Sequence, residues 1–239
     1  NVITKYIKAP LKLWSITHST PYSAEVIRRV KNENLTYLNT SALIDLYLAT
    51  QVIQSRKING AFIEAGCALG GSALVIASGK RKDQKFFIFD TFGLIPPPSE
   101  RDGEDSQHRW NEISLGKSKG LEGEKYYGYI GNLLDSVNRS FVRFGFPPEE
   151  NNIYFVPGVF DTTMEINFPV ALAHLDCDWY DSVMTCLNRI EPNLVKGGII
   201  IIDDYYHWSG CKKAVDKYFG DKKEKYHFKQ LSRLHIIKK

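Results

Sequence analysis

The chain has 239 residues, 31 basic and 27 acidic side chains, a net charge of +4 and 43% hydrophobic content. That supplies a buried core for a large α/β domain with appendages and excludes the disordered and fibrous classes. The basic residues concentrate in Lys212, Lys213, Lys217, Lys222, Lys223 and Lys225, a solvated helix face and turn rather than a nucleic-acid patch. The four cysteines have no close C-x-x-C pairing, so neither a zinc site nor a disulfide framework is expected, and a reducing, cytoplasmic setting fits best. No apolar run is long enough to span a bilayer, and the sequons at Asn34, Asn39 and Asn138 read as chance matches.

Residues 1–59 are expected to form an N-terminal helical cap. Helices are predicted over Ala24 to about Val30 and Ser41 to about Arg56, the second from the spacing of Leu43, Leu46, Tyr47 and Ile53 behind a Thr40 or Ser41 N-cap. From Ala61 short apolar runs alternate with helical patterns, the signature of βαβ units and a mostly parallel, doubly wound α/β sheet of Rossmann-like type. Strands are predicted at Ala61–Glu64, Lys85–Asp90, Ile153–Pro157, Val170–Asp176 and Gly198–Asp203. Helices are predicted at Ser72–Ser78, Leu133–Phe144, Tyr180–Ile190 and Ser209–Phe219, and a C-terminal hairpin turns near Ser232. Residues 60–239 then form the main ligand-binding domain.

Within it, residues from about 93 to 129 break the rhythm with Pro96-Pro97-Pro98, several glycines and many charges. A connection that long inside a compact domain reads as a lid or binding element. Its His108, Trp110, Tyr126 and Tyr127 are candidate substrate contacts.

The segment Glu64-Ala65-Gly66-Cys67-Ala68-Leu69-Gly70-Gly71-Ser72 places a glycine-rich turn between a strand and a helix. Glycines there permit unusual φ angles and let a ligand approach the backbone at a helix N-terminus. The spacing E-x-G-x-x-x-G-G differs from the dinucleotide fingerprint G-x-G-x-x-G, which counts against NAD. Asp90 ends the next strand, where a carboxylate can accept hydrogen bonds from ribose hydroxyls. Two further acidic groups, Asp176 with Asp178 and the pair Asp203-Asp204, follow apolar runs. If those runs are neighbouring parallel strands, the carboxylates converge at one edge and require a cation, for which hard oxygen ligands favour Mg²⁺, Mn²⁺ or Ca²⁺.

The glycine turn resembles motif I of class I S-adenosylmethionine methyltransferases. Asp90-Thr91-Phe92-Gly93, Val137 to Phe141 with Phe144-Gly145, Pro157 to Thr163, Leu175 to Ser182, and Gly197 to Tyr205 followed by Gly210 to Asp216 resemble successive blocks of the macrocin O-methyltransferase family. The resemblance covers about Thr36 to Phe219. It departs at Trp179, at Thr163-Met164 and in the 93–129 insert. It implies a class I methyltransferase fold and an S-adenosyl-L-methionine- and Mg²⁺-dependent O-methyltransferase acting on a hydroxyl of a sugar or glycosylated small molecule. It further implies cofactor contacts from Glu64, Gly66, Gly70, Gly71, Ser72, Asp90 and Thr91, and a metal held by Asp176, Asp203 and Asp204.

For such chemistry Asp176 is the first candidate base, and His207, in the loop beyond Asp204, and His108 are second choices. His174 shares the face of Asp176 but lies deeper, where a hydrogen-bonded structural role is expected. Asp178 is compatible with a metal ligand, a supporting group or a helix cap. The competing readings are an oxidoreductase or hydroxylase on a related Rossmann-like fold and a non-catalytic binding module. Expected partners are a small-molecule acceptor, without nucleic acid or membrane; self-association into a homo-oligomer is left open.

Overall fold

The computed structural model describes residues 20–239; residues 1–19 of the expected cap lie outside them. Its strands are Ala61–Ala65 (β1), Phe86–Asp90 (β2), Ile153–Pro157 (β3), Val170–Leu175 (β4), Leu194–Ile202 (β5), Tyr226–Gln230 (β6) and Leu234–Lys238 (β7). Helices run over Pro21–Asn32 (α1), Thr40–Ser55 (α2), Gly71–Gly79 (α3), Glu104–Ser114 (α4), Leu133–Arg143 (α5), Phe160–Thr163 (α6), Tyr180–Ile190 (α7) and Ser209–Phe219 (α8).

The sheet order is β3-β2-β1-β4-β5-β7-β6. The first five strands pair in parallel, and β7 runs antiparallel between β5 and β6. β1 and β4 are buried along their whole length because helices cover both faces. Strand alternation divides the apolar run of β5: Ile199 and Ile201 pack with α1, α2, α3 and α5, whereas Ile200 and Ile202 pack with α7 and α8. A sheet buried on both sides therefore reads as a continuous isoleucine run.

The described part of the expected cap is not a separate layer. Ile27, Val30, Leu43, Leu46 and Ile53 share one cluster with Phe62, Phe86 and Leu172, so α1 and α2 cover a face of the sheet. The N-cap of α2 is Asn39, whose side chain accepts from the Ala42 amide at 2.9 Å, rather than Thr40 or Ser41. β5 begins at Leu194, earlier than expected.

The connection after β2 contains a helix, α4, that no apolar periodicity announces; only Ser106 and Ile113 in it are buried. Aspartates at its start fasten it to two other helices. Asp102 Oδ1 accepts from the Tyr180 amide at 2.7 Å at the start of α7. Asp105 accepts from the Ser209 amide at 2.8 Å and its hydroxyl at 2.7 Å at the start of α8. These acids thus fill the capping places, including the one that sequence reasoning offered to Asp178. A side chain at Gly210 would put its Cβ 2.0 Å from Asp102 Oδ1, so the glycine is what lets the connection approach α8.

Asp105→Ala should loosen this fastening at a cost of about 1 kcal/mol, the usual value of a lost cap. Faster amide exchange is expected across 104–115 and the first turn of α8, with the central strands unaffected. Unchanged exchange in α4 would show that the contact does not hold it.

Candidate active site

The sheet order places the carboxyl ends of β1, β2, β4 and β5 side by side, with the switch point between β1 and β4, where open α/β sheets bind ligands. A cavity of about 690 Å³ opens there. Gly66, Asp90 and Thr91, which follow or end β1 and β2, and Asp176, Asp178, Asp203 and Asp204, which follow β4 and β5, all line it. Ala68, Phe92 and Asp178 on this edge all have positive φ (44°, 50° and 56°), a backbone conformation that costs non-glycine residues energy and clusters at functional sites.

Gly66 joins the two halves. Its φ is +87°, and an added Cβ would lie 1.8 Å from the Asp176 carbonyl oxygen, so no other residue permits this approach. The remaining glycines of the turn act differently. Gly70 takes φ +86° ahead of α3, while the Gly71 amide donates to the Leu35 carbonyl at 3.0 Å. Gly70, Gly71 and the buried Ser72 therefore shape the turn from behind and are absent from the cavity lining.

Asp90 holds the turn. Its Oδ2 accepts from the amides of Cys67 (2.7 Å) and Ala68 (3.1 Å), and Oδ1 from the Phe92 amide (2.6 Å) and the Thr91 hydroxyl (3.4 Å). Burial raises this carboxyl above its ordinary value despite those hydrogen bonds. The carboxylate read from sequence as a ribose acceptor is thus already committed to the backbone that forms the ligand site.

Glu64 is fully buried and does not reach the cavity. Register sets it opposite His174 on β4, whose other neighbour is Ile201 on β5, two residues before Asp203. His174 Nδ1 lies 2.9 Å from Glu64 Oε1, and Nε2 lies 3.6 Å from Asp203 Oδ1. Burial pulls the imidazole down, but Asp203 and Glu64 outweigh it and raise His174 to about 9. This point between two carboxylates favours positive charge. On the other side, Arg233 in the turn between β6 and β7 donates from Nε to Asp203 Oδ1 at 2.6 Å. Against the cost of burial, His174 and Arg233 hold the Asp203 carboxyl below its ordinary value.

The other acids lack such compensation. Burial, then Asp203, Asp204 and Asp178, push Asp176 well up; burial, then Asp178 and Asp203, do the same to Asp204. Asp178 is raised to about 6, chiefly by burial, although its Oδ1 accepts from Trp208 Nε1 at 2.9 Å. Two like charges about 4 Å apart repel by about 4 kcal/mol at an effective dielectric of 20. A cation that lets these acids ionise together therefore fits the donor set. Ligand atoms of His174, Asp176 and Asp203 lie within 4.8 Å of one another.

Aromatic rings and the connection close the mouth. Trp179 donates from Nε1 to the Pro96 carbonyl at 2.9 Å and meets Trp208 edge to face at 5.5 Å. Tyr37, Arg109, Tyr126, Tyr127 and the exposed His207 also line the cavity, whereas His108 and Trp110 do not. Sequence reasoning missed Arg109 and Arg233. Arg109 sits in a polar segment without periodicity, and Arg233 meets Asp203 only through the antiparallel return of β7.

Residues 32–233 match the family described as macrocin-O-methyltransferase (TylF). The chain belongs to that family. The macrocin-O-methyltransferase match extends beyond the expected Thr36–Phe219 span at both ends and takes in Arg233. The chain is accordingly an O-methyltransferase, and the oxidoreductase and non-catalytic readings give way. It is 27% identical over 192 residues to the 8-demethyl-8-(2,3-dimethoxy-alpha-L-rhamnosyl)-tetracenomycin-C 4'-O-methyltransferase of Streptomyces olivaceus, covering 77% of this chain and 67% of that one. Over 190 residues it is 25% identical to the demethyldecarbamoylnovobiocin O-methyltransferase of Streptomyces niveus, with the same coverage of 77% and 67%. The solved structure of the O-methyltransferase NovP superposes with a TM-score of 0.70 at 20% identity, covering 86% of this chain and 81% of that one. The class I methyltransferase fold expected from sequence is the one observed. Among the described residues no helix is long and apolar enough to cross a membrane.

Proposed function

We propose that this macrocin-O-methyltransferase family member transfers the methyl group of S-adenosyl-L-methionine to a hydroxyl of a sugar or glycosylated small molecule, with a divalent cation, Mg²⁺ in the first instance, at the acidic cluster. The observation that carries this reading is the shared cavity in which the Gly66 turn and Asp90 face Asp176, Asp203 and Asp204. The names of the relatives from Streptomyces, both natural-product O-methyltransferases and one of them specifying a rhamnosyl substrate, support the acceptor class.

Gly66 and Thr91 would meet the methyl donor directly, and Asp90 would keep the Cys67 and Ala68 backbone in the shape that receives it. Asp176 and Asp203, with Asp204 beside them, would hold the cation. When bound, the cation lowers the pKa of the acceptor hydroxyl and orients its oxygen toward the methyl group. The chain's own groups receive the proton: Asp176 first, with His207 at the mouth and Asp178 inside the cavity as further acceptors within the same space. Trp179, Trp208, Tyr126 and Tyr127 exclude water and offer flat apolar surfaces to a sugar ring.

A panel of rhamnosylated and other glycosylated acceptors incubated with labelled methyl donor tests the reading. Label should enter a sugar hydroxyl, stop after exhaustive EDTA treatment and resume on adding Mg²⁺. Full transfer in EDTA would refute the cation's part, and label only on nitrogen or carbon would refute the acceptor's.

A further inference from the structure

The acid-rich edge carries a buried nitrogen that the oxygen-only ligand set leaves unexplained. His174 and Glu64 are both fully buried, yet Glu64 Oε2 has no hydrogen-bond partner and His174 Nε2 has none within hydrogen-bond distance, only Asp203 Oδ1 at 3.6 Å. A buried polar atom without a partner is costly and calls for a specific reason. His174 is two residues before Asp176, so strand alternation puts both on the same face, and Nε2 approaches Asp203 Oδ1 to 3.6 Å.

We infer that His174 is itself a ligand of the divalent cation, through Nε2, together with Asp176 and Asp203, and that Glu64 orients its ring from behind. This rests on the reading above that a cation occupies the acidic cluster. Among the described residues, these are the three whose ligand atoms lie within 4.8 Å of one another; Asp204 is not in that group. Donors around one ion at bond lengths near 2.0–2.3 Å are separated by roughly 3 to 4 Å when adjacent and roughly 4 to 4.6 Å when opposite, so a small inward movement of these atoms suits a shared ion. Asp204 stands beside this group, its Oδ2 accepting from the Asp178 amide at 3.1 Å and holding the loop after β4.

The Glu64 contact gives the arrangement its direction. A carboxylate only accepts, so Nδ1 carries the proton that reaches Glu64 Oε1 at 2.9 Å, and Nε2 faces Asp203, where binding an ion displaces the second proton that the two carboxylates otherwise favour. A carboxylate behind a ligating histidine, fixing its tautomer and raising its basicity, is the usual support of such ligands. One imidazole among oxygens shifts preference from Mg²⁺ toward Mn²⁺, Co²⁺ and other transition ions.

The test is pulsed electron paramagnetic resonance on chelator-treated protein reloaded with Mn²⁺. The expected spectrum shows modulation from a directly bound histidine nitrogen that changes when all histidines are ¹⁵N-labelled. It should persist in His207→Gln and vanish in His174→Gln. Glu64→Gln should weaken Mn²⁺ binding by about tenfold to a hundredfold, the usual effect of removing a support behind a ligand. The labelled parent protein gives the answer even if the His174 variant fails to fold. Bound Mn²⁺ without histidine coupling would overturn this inference and leave the cation reading standing. Absence of Mn²⁺ binding would overturn both.

Discussion

An Asp176→Asn chain should bind S-adenosylhomocysteine like the parent yet turn over at least roughly a hundredfold more slowly, the scale of lost acid-base or metal assistance. The substitution keeps volume and removes charge and basicity. The Asp176 backbone stays in place because its amide donates to the Ala65 carbonyl at 2.9 Å, a bond the side chain does not touch. Asp90 makes its hydrogen bonds to Cys67, Ala68, Thr91 and Phe92 and none to Asp176, so the turn that receives the donor keeps its own bonds. Single-turnover kinetics beside calorimetry would separate the two effects. An Asp176→Asn enzyme as fast as the parent would remove Asp176 from both cation binding and proton transfer.

Asp90→Ala should do the opposite, damaging the donor's site and the fold together. Three backbone amides, those of Cys67, Ala68 and Phe92, lose their acceptor. Each buried amide left unsatisfied costs about 1–3 kcal/mol. A loss of roughly 3 kcal/mol or more in urea unfolding is expected from the same range, with S-adenosylhomocysteine affinity reduced by more than one lost ribose contact would explain. Asp90→Asn, which keeps one accepting oxygen, should fall between. Unaltered stability with weaker cofactor binding would instead make Asp90 a plain ribose acceptor.

The places where sequence reasoning succeeded and failed share a cause. Strands β1, β4 and β5 were legible because a strand buried on both faces is a run of apolar residues, and Asp176 and Asp203 were legible as the acids that end such runs. Helix α4 was not, since a helix fastened by Asp102 and Asp105 rather than by an apolar stripe leaves no periodicity. Glu64 carried a motif signal toward the cofactor, yet its side chain turns to His174, a pairing that exists only once β1 and β4 are known to be neighbours. Arg233 is likewise invisible until β7 returns beside β5. The motif glycines did not reveal their separate roles: Gly66 faces the cavity, and Gly71 faces Leu35.

The cavity at the carboxyl edge is proposed above all to receive S-adenosyl-L-methionine between the Gly66 turn and Asp90. Titration calorimetry of the unmodified protein with S-adenosylhomocysteine and, separately, with NAD tests this most directly. Saturable single-site binding of S-adenosylhomocysteine and no heat from NAD are expected; tight NAD binding with no response to S-adenosylhomocysteine would contradict it.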